Sequence, residues 1–168
     1  MTSGSVKQIF TSSGPWPEPM QQQQQVNVVA NAGIEGDRYY NKKGFWSFRP
    51  GSYRQVTIVT EEEIARYNSL QSVRGFTPEN LRRNFIVSGI SLESMIGQYI
   101  SIGSAELWVV RPIIFCPRLK DILDAPELAK MFNSNGWKIG AHCEIVKGGV
   151  VSSNDIVQIK LYPYPGQT

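Results

Sequence analysis

The stretch Leu-Trp-Val-Val-Arg-Pro-Ile-Ile-Phe-Cys-Pro-Arg-Leu, residues 107–119, combines a strand, a bend and the start of a helix. The apolar run from Leu107 to Val110 is typical of a strand, and Pro112 marks the bend that follows it. Proline is favoured at the first position of a helix, because it has no N–H to leave unpaired there and its φ is already helical. We therefore expect a helix to begin at Pro117, with Cys116 as its N-cap residue.

Cys116 is the residue of this stretch best suited to chemistry. The free N–H groups and the positive dipole end of a helix N-terminus stabilise a thiolate. The neighbouring cations Arg111 and Arg118 lower a thiol pKa in the same direction. The alternative is that Cys116 is a small buried hydrophobe, carried into the core with Ile114 and Phe115. The local sequence leaves both interpretations open.

Composition indicates one globular domain. The chain has 168 residues, of which 41% are hydrophobic and 18% are charged, and this balance is typical of folded domains. The net charge of +3 includes no polybasic block, so neither a nucleic acid nor a membrane is expected as a partner. Two cysteines cannot form a disulfide framework and fit a reducing compartment. No signal peptide or membrane-spanning run is found, so we expect a cytoplasmic protein.

The common metal and nucleotide motifs are missing from the sequence. With one histidine, His142, and no Cys-x-x-Cys, a metal site built from side chains alone is not expected. Gly148 and Gly149 stand alone, outside any glycine-rich phosphate-binding motif. An NTP- or dinucleotide-binding enzyme is therefore disfavoured.

Short alternating segments predict seven or eight strands. They lie at residues 5–11, 26–29, 55–59, 84–88, 99–102, 106–110, 140–147 and 155–161. The links between them are short, and the regular order of strand and helix that a parallel sheet requires is absent. We predict a mostly β (α+β) fold, a single antiparallel β-barrel-like domain with a few short peripheral helices. The domain spans residues 1–168, with its core at about 26–161 and an N-terminal strand and Pro/Gln-rich loop at 5–25.

Capping residues mark the predicted helix starts. Thr60, followed by three glutamates, matches a capping box, and Thr77 precedes a proline at a first helical position. Further short helices are predicted at 91–97 and 127–132. The aromatic segment 41–53 fits no single period, and we predict a long loop that either covers a site or joins subunits.

His142 and Cys143 lie on opposite faces of one predicted strand, because side chains alternate along it. Cys143 shares its face with Ala141 and Ile145 and is predicted to pack in the core. His142 shares its face with Glu144, and a partly exposed surface position is favoured over a role as general base.

Several stretches, taken in order, resemble the MOSC domain, which is named for the C-terminal domain of molybdenum-cofactor sulfurase. Cys-Pro-Arg-Leu at 116–119 is similar to the family's Cys-x-x-Leu. The other matching stretches are 33–39 (Gly-Ile-Glu-Gly-Asp-Arg-Tyr), 55–59, 82–90 with Leu92, 96–98, 102–103, 136–140 and 149–150. No single motif is specific, but their order is collinear from about Val26 to Ile159.

The resemblance implies a β-barrel-like domain linked to molybdenum-cofactor biology. It implies that Cys116 carries sulfur as a persulfide or ligates molybdenum as a thiolate, beside a pterin-type cofactor (molybdopterin). The remaining site residues expected around that cavity are Asp37, Arg38, Arg83, Asn84, Arg111 and Arg118. Pyridoxal phosphate binding is also associated with the family, and some relatives reduce N-hydroxylated compounds.

The chain departs from the family at several points. Phe115 stands where many relatives have a proline or a second cysteine. The N-terminal β-barrel domain of the amidoxime-reducing relatives and a ferredoxin-like cysteine set are missing, which argues against a self-sufficient reductase. An electron-donor or sulfur-donor protein is therefore expected as a partner, and a homodimer is an open alternative. Three functions remain: a cofactor-linked enzyme or sulfur carrier, a non-catalytic module that binds a pterin or a partner, and a member whose site has decayed.

Overall fold

The computed structural model describes residues 3–49, 52–69, 75–114, 117–123 and 138–161. These ranges contain eleven strands: β1 (Ser3–Thr11), β2 (Gln21–Gln23), β3 (Gln25–Val29), β4 (Gly33–Ile34), β5 (Val56–Thr60), β6 (Phe85–Ser88), β7 (Tyr99–Ile102), β8 (Ala105–Pro112), β9 (Ala141–Lys147), β10 (Gly149–Ser152) and β11 (Ile156–Lys160). They also contain α1 (Glu61–Asn68), α2 (Pro78–Leu81), α3 (Leu92–Met95), α4 (Pro117–Leu123) and a 3-10 turn at Ser52–Arg54. The helix predicted at 127–132 lies outside the described residues.

Seven strands form a closed barrel in the order β1-β6-β5-β9-β8-β7-β11, and pairing of β11 with β1 closes it. Strand β2 pairs with the end of β1, and β10, β3 and β4 form a small second sheet. The predicted mostly β, barrel-like fold with short helices is confirmed. One pairing differs from the antiparallel prediction: β5 and β6 are parallel, because α1 and α2 lie between them and carry the chain back across the barrel.

The barrel interior is filled by the alternate side chains of its strands. Along β8 the buried residues include Leu107 and Val109, and along β9 they include Cys143 and Ile145. The predicted core position of Cys143 is confirmed, and burial raises the pKa of its thiol. None of the helices in the described ranges is long and apolar enough to cross a membrane.

Helix caps follow the sequence prediction. The Thr60 hydroxyl accepts a hydrogen bond from the Glu63 N–H at 3.1 Å, at the start of α1. Thr77 and Asn80 form a reciprocal capping box at the start of α2. Helix α4 begins at Pro117, as predicted. Cys116 itself lies outside the described residues, so its N-cap position stays a prediction.

A β-bulge near the end of β8 changes the direction of Arg111. Val109 lies opposite Cys143 of β9, whereas Arg111 lies opposite His142, so Val110 is an extra residue in the pairing. Alternation alone places Arg111 on the buried face of Leu107 and Val109, but the structure shows it exposed. A bulge re-aims the residues that follow it, and here it brings Arg111 beside the start of β9.

Candidate functional site

A cavity of about 270 Å³ lies where the end of β8 meets the start of β9. Of the nine arginines in the sequence, seven line this one cavity: Arg38, Arg49, Arg54, Arg82, Arg83, Arg111 and Arg118. His142 and four aromatic residues (Trp16, Tyr39, Phe45 and Trp46) also line it. No carboxylate is found among the described residues of its wall. The arginines differ in what else they contact.

Arg38 and Arg82, which we call the clamped arginines, are held by the protein itself. Arg38 Nη1 lies 3.1 Å from Asp37 Oδ1 and 3.4 Å from the sulfur of Met20, and its Nη2 donates to the carbonyl of Arg82 at 3.1 Å. Arg82 Nη1 donates to the carbonyl of Glu18 at 2.6 Å, and its Nη2 donates to the carbonyl of Gly14 at 2.9 Å. Burial, followed by the positive charge of Arg38, lowers the pKa of Arg82 to about 10, which leaves it cationic at neutral pH.

Asp37 and Asn84 form the buried network behind the clamped arginines. The Asp37 carboxylate accepts from the N–H of Ser12 at 3.0 Å, from the N–H of Tyr39 at 3.2 Å and from Asn84 Nδ2 at 3.3 Å. Asn84 also donates to the carbonyl of Phe10 at 3.1 Å. Both residues are fully buried. The structure thus places these two predicted site residues together with Arg38, in a position that supports the wall.

Four other arginines, which we call the ring-stacked arginines, lie over aromatic rings. The guanidinium carbon lies 4.3 Å from the Tyr53 ring centroid for Arg54 and 4.4 Å for Arg111. Arg118 lies 3.8 Å from the Phe45 centroid, and Arg49 lies 4.8 Å from that of Trp46. Stacking uses the flat face of a guanidinium and leaves its N–H edge free to bind an anion.

Arg83 reaches the cavity across a glycine. Its Nε donates to the carbonyl of Ile139 at 2.8 Å. A Cβ on Gly140 would lie 2.9 Å from that Nε and 2.6 Å from the carbonyl oxygen of Ile58. Gly140 also has a φ of +122°, which residues with a Cβ rarely adopt. Position 140 is therefore restricted to glycine both by its backbone and by the path of Arg83.

His142 is half-buried, in line with the partial exposure expected from sequence, and it lines the cavity. The 3-10 turn at Ser52–Arg54 covers it, and the Tyr53 ring lies 5.8 Å away, edge to face. Burial first, and then the charges of Arg83, Arg111 and Arg54, lower the pKa of His142 to about 3. The imidazole is therefore neutral at physiological pH.

Two buried polar atoms of this wall have no hydrogen-bond partner among the described residues. They are Nδ1 of His142 and Nη1 of Arg54. Buried polar groups are nearly always paired, so two such atoms in one cavity indicate that something else pairs with them.

The aromatic loop covers the cavity. Phe45 and Trp46 line it, while Phe48 is 71% exposed. Of the two alternatives for segment 41–53, the structure therefore favours the covering of a site. Arg49, Arg54 and Arg82 were not predicted as site residues, because single arginines in loops carry no periodic signal that separates a cavity wall from a surface.

The start of α4 also borders the cavity, through Arg118, Leu119 and Ile122. Cys116 precedes Arg118 by two residues in the sequence, and its predicted role in the site stays a prediction. In the ranges that the structure covers, no three His, Cys, Asp or Glu side chains cluster as a metal site.

Comparison with solved structures shows the same fold elsewhere. The chain is similar to the YuaD protein from Bacillus subtilis, with a TM-score of 0.76 and 21% identity over 96% of this chain and 97% of that one. It is also similar to YiiM from Escherichia coli (TM-score 0.69, 16% identity, 97% of this chain and 72% of that one). For YiiM from Geobacillus stearothermophilus the TM-score is 0.68 at 15% identity, over 96% and 77% of the two chains. No curated protein matches the sequence significantly.

The sequence itself decides the family. The MOSC domain matches residues 47–158, which include β5 to β10, the first part of β11, the 3-10 turn, and Arg83, Arg111 and His142 of the cavity wall. MOSC domains are usually linked to the molybdenum cofactor. The resemblance inferred from sequence is thereby confirmed, and the chain belongs to the MOSC domain family.

Proposed function

We propose that the cavity binds the phosphate-bearing pterin of the molybdenum cofactor. The observation that carries this proposal is the gathering of seven arginines around one small cavity whose described wall holds no carboxylate. An arginine fork matches a phosphate better than any other side chain does, because it offers parallel N–H donors and a permanent positive charge. The cationic wall therefore selects an anion.

The remaining features of the wall fit a planar, phosphorylated ligand. Trp16, Phe45 and Trp46 offer aromatic faces beside the arginines. Nη1 of Arg54 and Nδ1 of His142 are polar atoms that no described residue pairs with. A volume of about 270 Å³ is close to the lower end of small-molecule pockets, roughly 300 Å³.

Cys116 is the residue that we propose for the chemistry. A thiolate is a soft ligand that suits molybdenum and also the carriage of sulfane sulfur. Its place two residues before Arg118 is consistent with either role. The bound cofactor supplies the redox chemistry, including any reduction of N-hydroxylated compounds, and the protein supplies binding and electrostatics. An electron- or sulfur-donor protein is the partner that such a role requires.

The experiment compares pterin and molybdenum content in protein purified from a host that makes the cofactor. We expect wild type to retain a phosphorylated pterin, measured by fluorescence after oxidation. Arg111→Gln removes one charge-assisted contact, about 1.5 kcal/mol, and should weaken retention roughly tenfold. Arg66→Gln is the matched control, because Arg66 lies on α1 with a side chain that is 57% exposed.

The same preparations separate the two roles of the site. Loss of molybdenum or labile sulfur from Cys116→Ala, with the pterin retained, supports thiolate chemistry. A pterin, molybdenum and sulfur content unchanged in Cys116→Ala supports the alternative, a non-catalytic binding module. Wild type that retains no pterin, or an Arg111→Gln protein that retains as much as Arg66→Gln, contradicts the proposed cofactor.

A further inference from the structure

We propose that His142 contacts the bound anion directly and that it takes up one proton from solvent when the anion binds. This inference rests on the anion site proposed above and adds a further binding residue to it. The proton makes the imidazole a cation with two N–H donors, and no covalent bond forms or breaks. The ligand class is a dianion such as a phosphate monoester.

The geometry around His142 comes from three neighbouring segments and from its own strand. Thr57 of β5 and Arg111 of β8 lie directly opposite it in the sheet, and the 3-10 turn covers it with Tyr53. The charged groups whose electrostatic influence reaches it are Arg54, Arg83 and Arg111. On its own strand the nearest charged residue is Glu144, which lies opposite Trp108. Three guanidinium groups are thus near enough to act on the charge of the imidazole.

Two of these residues, His142 and Arg54, carry the unpartnered polar atoms of the wall. His142 Nδ1 and Arg54 Nη1 are both buried without a hydrogen-bond partner among the residues that the structure describes. Buried polar groups are nearly always paired, and an anion with several oxygens offers acceptors both for an arginine N–H and for a protonated ring nitrogen. His142 and Arg54 also line the cavity, so a ligand bound there lies against the residues that carry these two atoms.

The charges explain why the proton arrives with the ligand. In the ligand-free cavity, burial and three arginines disfavour the imidazolium, and the pKa of His142 is lowered to about 3. A bound dianion cancels two of the positive charges and adds an acceptor, and both effects favour the charged form of the ring. The pKa of His142 must then rise on binding, and by linkage the anion must bind more tightly as the pH falls.

The single histidine of the chain makes the test direct. In isotope-labelled wild type, the imidazole signals in an NMR spectrum come from His142 alone, provided that no histidine tag is attached. Sulfate is the probe, because it mimics a phosphate monoester but stays a dianion across the titration. We expect no inflection above about pH 5 in chloride, and a rise of about 3.5 pH units, to about pH 6.5 or higher, in the pKa of His142 in sulfate at matched ionic strength.

A second measurement follows binding itself. Sulfate affinity of wild type should fall by roughly tenfold or more between about pH 5.5 and about pH 7.5, whereas His142→Gln should bind with little pH dependence. Glutamine keeps a polar contact but cannot take up a proton. Sulfate that binds while the His142 signals stay unchanged overturns this inference and leaves the proposed anion site standing. Absence of sulfate binding to wild type overturns both.

Discussion

The clamped and the ring-stacked arginines line the same cavity but differ in what their N–H groups contact. The clamped arginines, Arg38 and Arg82, donate hydrogen bonds to backbone carbonyls, a carboxylate and a sulfur atom. The ring-stacked arginines rest their flat faces on Tyr53, Phe45 and Trp46. The clamped arginines form part of the wall, and the ring-stacked arginines present positive charge to a ligand that enters the cavity.

The difference shows that residue type does not decide the role of an arginine. A guanidinium whose donors are already paired contributes long-range charge and rigidity, but few new hydrogen bonds. A guanidinium held by its face keeps its position while its edge stays available. Substitutions on the clamped side should therefore act on stability, and those on the stacked side on ligand affinity.

The largest expected effect is on the clamped side. Asp37→Ala removes the carboxylate that faces Arg38 and leaves a buried guanidinium and the Ser12 N–H without it. Breaking a buried ion pair in this way costs about 3–5 kcal/mol, to be measured by urea unfolding. Glu35→Ala, at an exposed carboxylate of the same loop, is the control and should change stability by about 0.5 kcal/mol or less. If Asp37→Ala lowers the free energy of unfolding by as little as Glu35→Ala does, the clamped arginines have no special role in stability.

Arg83 belongs to neither set of arginines, and a substitution at Gly140 tests whether its position matters for binding. Gly140→Ala places a Cβ 2.9 Å from Arg83 Nε, on a backbone with a φ of +122°. We expect a loss of about 3 kcal/mol from strain and overpacking together, and weaker sulfate binding because Arg83 must move. Gly36 also has a positive φ, but a Cβ there meets nothing within 4 Å. Gly36→Ala should therefore cost only about 1 kcal/mol and keep its sulfate affinity.

The pH dependence of stability tests the environment of His142 without any ligand. The pKa of His142 is lowered in the folded protein, so below about pH 6.5 the unfolded chain binds a proton that the folded protein does not. This contribution to stability is present above that pH and is lost as the pH falls toward 3. Between about pH 7.5 and about pH 5.5 wild type should lose about 1.4 kcal/mol more than His142→Gln. Equal slopes for the two proteins would show that the imidazole protonates freely in the ligand-free cavity.

The smallest effect concerns the rings. Phe45→Ala removes the surface on which Arg118 rests, a contact of about 0.5–1 kcal/mol. Sulfate affinity should fall roughly two- to fivefold, measured by calorimetry. Tyr40 lies just before the segment that holds Phe45 but is exposed and is not among the residues that line the cavity, and Tyr40→Ala should leave the affinity unchanged. If the two variants behave alike, ring stacking does not position Arg118.

The barrel strands and helix caps could be predicted because their signals are local. Alternation identified β8 and β9, and Thr60 and Thr77 marked helix starts that the structure confirms. The short strands β2, β4 and β10 were missed, since two to four residues hold too little alternation to detect. The parallel pairing of β5 with β6 depends on the path of the helices between them. A local sequence pattern does not predict that path.

The site was harder to predict than the fold. Arg38, Arg83, Arg111 and Arg118 were predicted to surround a cavity, and all four line it. The partial exposure of His142 was predicted, but its place in the cavity wall was not, because alternation separates two faces of a strand and does not show what packs on them. The 3-10 turn that covers His142 lies far from it in sequence and meets it only in the folded barrel. The bulge at Val110, which redirects Arg111, was equally invisible.

Closure of the barrel by β1 and β11 has a consequence for biosynthesis. Ser3 pairs with Gln158, and Ser5 pairs with Ile156, so the seven-stranded ring joins two ends of a long stretch of chain. During translation, β1 must wait for β11 to leave the ribosome before that edge is covered. At about 5–20 residues per second this wait lasts roughly 8 to 30 seconds, and until it ends that edge of β1 is exposed to other nascent chains.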